Sequence, residues 1–387
     1  MRETVNIRTL VVFVVVFFVF KTIQSQPHKP LSKHNLMAEA KIQYGFLMAH
    51  HLELEIYNAH FPAFEFSIER ATWGKHHWET LYGYPTIGLS VWYSPLGGFK
   101  DIGSVIALYP FINFPLVQDE VQQFNFRLGF GLGYLTNYYD RLDNYKNFAI
   151  GSNINIAGSL YLEYRRKFGR MVSLSGGAGL THFSNGAIKT PNFGLNIITA
   201  YLSFTVYLGR PNPQLSRKII PKLYKFEFDG KKSLDFDIGL SAGIKDMSQQ
   251  YGQRFMVYAL YANLFKQVSW KSKFGIGFDL TYDASDKFIL DWNGQTYDND
   301  LQLLKPGLSA AYQLLIGRLS FVFNFGAYLA GKEMSEGSIY QRLTIRYLFT
   351  DYLFANIALN SNWGKAEYIG FGIGYQLDFI YKRTVKH

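Results

Sequence analysis

Residues 153–165, Asn153-Ile-Asn-Ile-Ala-Gly-Ser-Leu-Tyr-Leu-Glu-Tyr-Arg165, change character at almost every step. Ile154, Ile156, Leu160, Leu162 and Tyr164 fall on one face, and Asn155, Ser159, Tyr161, Glu163 and Arg165 on the other. A period of two marks a β-strand whose faces meet different environments. The segment 366–380 repeats it, with Ile369, Phe371, Ile373, Tyr375 and Leu377 alternating with Gly370, Gly372, Gly374, Gln376 and Asp378. Similar segments run from 41–57 and 63–72 through 153–168, 170–184 and 194–208 to 234–245 and the last one, roughly sixteen in all, or fourteen if two short ones merge. A soluble sandwich also alternates, but these strands are long and aromatic residues crowd their ends. Lipid tolerates no open sheet edge, so such strands predict a closed barrel. The expectation is an all-β, transmembrane antiparallel β-barrel of about 14–16 strands in one barrel, spanning 41–381. The alternative is two eight-stranded halves, 41–208 and 234–381, on either side of a periplasmic link at 209–233 that carries Pro211, Pro213 and Pro221. The single barrel is preferred because neither half has a terminal extension or an obvious independent boundary.

The N-terminus fits export. Arg2 and Arg8 precede an apolar run from Leu10 to Phe20, which Lys21 ends. That run is too short for a membrane-spanning helix of about 20 residues. It suits the core of a secretory signal peptide. A signal peptide is expected over 1–25, cut between Gln24 and Gln26, followed by a periplasmic segment at 26–40. An uncleaved anchor is the alternative. Short links such as Lys167 to Arg170 and Thr350-Asp351 should be periplasmic, and the longer polar links 138–152 and 284–302 extracellular.

Composition agrees. The 387 residues include 28 Tyr, 34 Phe and 35 Gly, while charged residues are 18%, below the usual ~25%. The absence of cysteine excludes disulfides, thiolate nucleophiles and Cys-based zinc sites. A net charge of +10 favours an anionic partner, and for an exported chain a lipid head group fits better than nucleic acid, which is not expected.

Several apparent motifs dissolve. Gly239-Leu-Ser241-Ala-Gly243 matches G-x-S-x-G, but a nucleophile elbow needs a strand, a sharp turn and a helix. Here Leu234, Phe236, Ile238, Leu240 and Ala242 alternate straight through, so Ser241 is a lumen-facing strand residue. Gly129-Phe-Gly131-Leu-Gly133 and Gly370 to Gly374 alternate in the same way. His50-His51 and His76-His77 look like metal ligands, but adjacent strand residues point to opposite faces, so neither pair can chelate one ion. No metal or cofactor is expected.

One segment resists that treatment. His182 and Ser184 lie two apart, on the face shared by Val172, Leu174, Ala178 and Leu180. Residues i and i+2 of a strand are about 7 Å apart, close enough for imidazole to approach a hydroxyl. On the next strand Asn196 shares a face with Ile198, Ala200, Leu202, Phe204 and Val206. Three polar side chains thus stand on the lipid-facing wall, where polar groups are costly and mark function. Capping of strand ends in the head-group zone is the bland alternative.

The pattern His182-x-Ser184-Asn185, a short spacer, Pro191-Asn192-x-Gly194 and a polar residue at 196 resembles the active-site signature of the outer-membrane lipid A 3-O-deacylases, the PagL-type barrels. The resemblance is specific over 181–196 and looser over 41–208. The second half has no counterpart in the compact members, whereas longer relatives called acyloxyacyl hydrolases resemble more of the chain. The resemblance implies an integral outer-membrane esterase that removes an ester-linked acyl chain from lipid A of lipopolysaccharide. Its site would lie on the outer wall, amid outer-membrane lipid. Ser184 would be the nucleophile and His182 its general base, with Asn185 and Gly186 supporting the oxyanion. Lys189 would meet lipid A phosphates. Compact members carry a glutamate where this chain has Asn196, whose amide oxygen can still accept the imidazole N–H but cannot stabilise imidazolium by charge. The rival reading is a non-enzymatic barrel, either a pore or a structural or binding protein, with Glu163, Arg165, Asp235 and Asp237 facing a wet lumen.

Overall fold

A computed structural model describes residues 35–209, 234–247, 252–335 and 337–379. The signal peptide expected at 1–25, the segment before Asn35 and the link from 210 to 233 lie outside these. The described chain is all-β. Eight strands, β1 (Leu36–Leu47), β2 (His60–Ala71), β3 (Thr86–Ser94), β4 (Val105–Gln118), β5 (Gln122–Leu135), β6 (Ile154–Phe168), β7 (Val172–Ser184) and β8 (Leu195–Tyr207), form one closed barrel. Eight more, β9 (Leu234–Asp246), β10 (Arg254–Gln267), β11 (Ser272–Asp283), β12 (Leu304–Ile316), β13 (Leu319–Tyr328), β14 (Ile339–Leu348), β15 (Leu353–Asn362) and β16 (Lys365–Phe379), form a second. The strand number is that expected, but the strands close as two barrels of eight and not as the single preferred barrel. The reason is pairing: β8 returns to β1, from Met37↔Tyr207 to Leu47↔Ile197, and β16 returns to β9. Each ring thereby satisfies its own edges.

The alternation read from 153–165 places the side chains as expected. Ile154, Leu160, Leu162 and Tyr164 are exposed on the outer wall, while Asn155, Ser159, Tyr161, Glu163 and Arg165 are buried in the lumen. β1 differs: it starts at Leu36 and ends at Leu47, and Leu52–Tyr57 is a 3₁₀ turn that buries Leu54 and Tyr57. Glu39 and Lys41 give the start of this strand the polar look of a tail, yet both are lumen residues. No helix among the described residues is long and apolar enough to cross a membrane; the strands carry the apolar surface.

Both lumens are filled, as an eight-stranded barrel allows. In the first, Arg127 donates to Glu39 (2.7 Å) and Glu65 (2.7 Å), and Arg165 donates to Glu69 (2.9 Å) and forms an ion pair with Glu163 (3.0 Å). Lys41 sits over the rings of Tyr161 and Tyr201. In the second, Arg346 pairs with Asp237 and Arg342 with Asp279. This is packed interior, not the wet lumen that a pore reading supposes. Above the ion network of the first barrel, Trp92, Phe61, Leu135, Phe183, Leu195 and Ile197 form an apolar core at the end opposite the short turns. That core fixes the ends of β7 and β8 from inside, beneath the polar residues on the outside.

Desolvating such charges is expensive, and removing one partner strands the others. Arg127→Ala should therefore lower stability by about 3–5 kcal/mol. The check is the urea midpoint of refolded protein in detergent, followed by heat-modifiable migration on gels.

Candidate active site

β7 and β8 run antiparallel with His182 directly opposite Asn196. The register thus joins two of the three wall residues. His182 Nδ1 lies 2.6 Å from Asn196 Oδ1. The other end of the amide reaches a residue not foreseen: Asn196 Nδ2 donates to His50 Nδ1 (3.0 Å), and His50 Nε2 lies 2.8 Å from the Phe193 carbonyl. These bonds fix one another. A carbonyl can only accept, so Nε2 of His50 carries the proton and Nδ1 accepts from the Asn196 amide. The amide then turns its oxygen to His182, whose Nδ1 must carry the proton. His182 Nε2 is left as a base.

His50 and His51 belong to the loop after β1, not to a strand. The argument that strand neighbours diverge therefore does not govern them. His51 stacks on Phe193 with ring centroids 4.1 Å apart, while His50 joins the polar chain.

Ser184 is the last residue of β7. Its Oγ accepts from Asn192 Nδ2 (2.8 Å) and from Gly186 N–H (3.1 Å). Asn192 Oδ1 in turn accepts from Asn185 N–H (3.1 Å). No hydrogen bond joins His182 to Ser184 among the described residues, although both open onto one cavity. Such bonds are often long before substrate arrives. The Asn185 side chain points elsewhere: buried, it donates to Ser152 Oγ (2.9 Å) and the Lys189 carbonyl (2.8 Å), which braces the loop. Two polar hydrogens at Ser184 therefore come from Gly186 and Asn192. Lys189 lays its ammonium over the ring of Tyr138, 4.4 Å from the centroid, and does not line the cavity.

Backbone conformation explains the glycines of this loop. Gly186 (φ 60°) and Gly194 (φ 83°) occupy the left-handed region that favours glycine. A Cβ on Gly194 would stand 2.9 Å from Cε1 of His182, so the bare backbone is what leaves room for the imidazole there. A Cβ on Gly186 would stand 2.2 Å from Cδ1 of Ile369, a residue of the second barrel.

The second barrel thus reaches the site. Asp246 N–H, at the end of β9, donates to the Ala187 carbonyl (2.8 Å), and the Asp246 carboxylate accepts from Thr190 N–H (3.0 Å). Between the barrels opens a cavity of about 1350 Å³, onto which His182, Ser184, Asn196 and residues of β14 to β16 all face.

Sequence reasoning missed His50, Asn192 and Asp246. Asn192 stood within the quoted pattern without a role. His50 came forward only as half of a histidine pair. Nothing in the sequence links Asp246 to the loop, because the contact joins two separately closed sheets.

A filled β-barrel with an apolar outer band and a polar His–Asn–Ser cluster on that outer wall defines an integral outer-membrane protein with a lipid-facing site. Residues 63–205 match the model of the lipid A 3-O-deacylase (PagL) family, and residues 234–379 match that of the acyloxyacyl hydrolase C-terminal domain. The first barrel belongs to the PagL lipid A 3-O-deacylase family, and the second is the C-terminal domain of its acyloxyacyl hydrolases. A search of curated proteins found no match. Among solved structures the chain is similar to an outer membrane channel from Pseudomonas putida F1, at 9% identity and TM-score 0.20, covering 92% of this chain and 100% of that one. It is similar also to OccAB1 of Acinetobacter baumannii, at 9% identity and TM-score 0.21, covering 91% and 100%. At those scores the overlap carries no argument about this chain.

Proposed function

We propose that this chain is a serine esterase of the outer membrane that removes an ester-linked acyl chain from lipid A of lipopolysaccharide. The observation that carries the reading is the His182–Asn196 hydrogen bond of 2.6 Å on the outer wall, two residues along the strand from Ser184. A buried catalytic pair would demand that a lipid leave the bilayer. A pair on the lipid-facing wall meets the ester where it already lies.

The chemistry follows from the tautomers. Ser184 Oγ rotates from Asn192 towards His182 and attacks the acyl carbonyl carbon, while its proton passes to His182 Nε2. The Gly186 N–H and the Asn192 amide, already at Ser184, receive the negative charge that forms on the carbonyl oxygen. The ester C–O bond breaks, and the His182 proton goes to the leaving alkoxide oxygen, which departs as a hydroxyl. Water then gives its proton to His182, adds to the acyl-Ser184 ester and releases the fatty acid, and Ser184 Oγ regains the proton. Asn196 holds the ring throughout. The signal peptide expected over residues 1–25 would export the chain and be cut away.

Mass spectrometry of lipid A from cells with and without the protein tests this directly. The expected product is lipid A lighter by one ester-linked acyl chain, with that chain recovered as free fatty acid. Unchanged lipid A in cells that display the folded barrel would overturn the assignment of substrate.

A further inference from the structure

The second barrel is not needed to assemble His182, Ser184 and Asn196, all of which stand on the first. What it adds is a wall. The barrels touch towards one end through Asp246 and the loop 187–190, and towards the other through Tyr82 Oη, which donates to the Leu315 carbonyl (2.8 Å). Between these contacts lies the cavity onto which the polar cluster opens.

Away from the polar cluster and from Arg141, Lys245, Asp246, Lys365 and Glu367, its lining is apolar on both sides. From the first barrel come Phe130, Ile156 and Gly158, and from the second Leu343, Ile345, Ile357 and Leu359. Register shows how ordered this is. Leu343 pairs with Leu359 and Ile345 with Ile357, giving two successive same-face rungs on β14 and β15, separated by about 7 Å along the strand. Opposite them, Ile156 pairs with Ser184 and Gly158 with His182. The apolar surface therefore begins at the catalytic pair and runs along the wall. Gly158 has room for a side chain, since a Cβ there meets nothing within 4 Å. It leaves a trough beside the imidazole where neighbouring outward positions of β6 carry Ile156 and Leu160.

Ile369 shows that the second barrel is keyed to this place. It belongs to the outward face of β16, beside the exposed Phe371 and Ile373, yet only 3% of it is accessible, because it packs against Gly186. Ile369, itself part of the cavity wall, is thus locked to the loop that follows the nucleophile.

We propose that the two barrels form a composite acyl-chain groove, in which the chain of the scissile ester lies between β6 of the first barrel and β14–β15 of the second, with its carbonyl at Ser184. This rests on the esterase reading above and goes further: the second barrel is a specificity element that measures the acyl chain. The apolar lining, its position on the lipid-facing wall and its continuity with Ser184 all select a hydrocarbon chain as the occupant.

The test uses the full chain in detergent, with p-nitrophenyl esters of four to fourteen carbons as probes. The wild type should show kcat/KM rising with chain length. Ile357→Trp, which fills the groove, should lower the ratio of kcat/KM for twelve carbons over four by on the order of 10–100-fold, the range expected when a pocket's apolar fit is altered. Ile357→Ala should shift the preferred length the opposite way, and Gly158→Leu should act like the tryptophan from the facing wall. Ile276→Trp, on the exposed outer face of β11 away from the cavity, should leave the ratio as in the wild type. If Ile357→Trp does not fold by heat-modifiable migration, the alanine and Gly158 variants decide. Active enzymes whose chain-length profile is unmoved by Ile357→Ala and Gly158→Leu would overturn the groove. The esterase reading fails separately, if Ser184→Ala still cleaves the four-carbon ester.

Discussion

Ser184→Ala is expected to abolish ester hydrolysis, with a loss on the order of 10⁶-fold, as when the nucleophile of a working triad is removed. The barrel should fold normally. Ser184 Oγ only accepts hydrogen bonds, from Asn192 and Gly186, and both donors lie on a loop that is held independently. Asn185 binds Ser152 and Lys189, and Asp246 binds Thr190 and Ala187. Removing one hydroxyl therefore leaves the loop braced from two sides. Ser241→Ala is the matched control, because Ser241 lies mid-strand on β9 between Ala259 and Gly372. It should change nothing. Release of fatty acid from lipopolysaccharide vesicles and heat-modifiable migration are measured on the same preparations. A fully active Ser184→Ala protein would remove Ser184 from the mechanism.

The strand pattern was readable because a lumen and a lipid face impose opposite demands on successive residues. Ile154 to Arg165 carries that demand at each position, and so does the segment holding His182 and Ser184. Even the pairing of His182 with the strand of Asn196 follows from two antiparallel neighbours and a short loop. Closure did not follow, because alternation is the same in one large ring and in two small ones. What decides it is which strand pairs with β1, a long-range contact between Leu36–Leu47 and Leu195–Tyr207 that no local signal encodes. The first half had its own clue in retrospect. Glu39, Glu65, Glu69, Glu163, Arg127 and Arg165 form one lumen network of ion pairs without any residue of the second half.

The site was legible only where motif and strand face coincide. Asn185 drew attention by adjacency to Ser184, but neighbours in sequence diverge at a strand end, and its amide turned into the loop. Asn192, seven residues on from Asn185, is brought back by the loop to meet Ser184. His50 comes from the far side of the β1–β8 seam, which forms only when the barrel closes. Ile369 carried the pattern of a lipid-facing residue and is instead buried, because the surface it meets is another barrel.

The polar chain behind His182 yields the second large effect. Asn196→Ala should reduce kcat by up to about 10⁴-fold, the cost of losing the group that sets the tautomer of a catalytic histidine. Asn196→Leu should do the same while leaving the barrel at least as stable, since an apolar side chain suits the outer wall. His50 acts one bond further out, as a positioning residue: its Nδ1 accepts from Asn196 Nδ2 and so keeps the amide oxygen turned to His182. Without it the amide can flip, and imidazole then faces an N–H that offers no acceptor for its own. His50→Ala should lower kcat by roughly tenfold, the order of one hydrogen bond's net worth, with little change in KM. The two substitutions should not add. In the Asn196→Ala background there is no amide left to orient, so His50→Ala should cost almost nothing more, and the coupling in a double-mutant cycle should approach the whole single-mutant effect of His50. His50→Gln, which can place an amide oxygen near the Asn196 Nδ2–H, should recover part of the loss. Additive losses would mean that His50 acts on the loop through Phe193 and not through Asn196. A fully active Asn196→Leu enzyme would reduce the machinery to His182 and Ser184 alone.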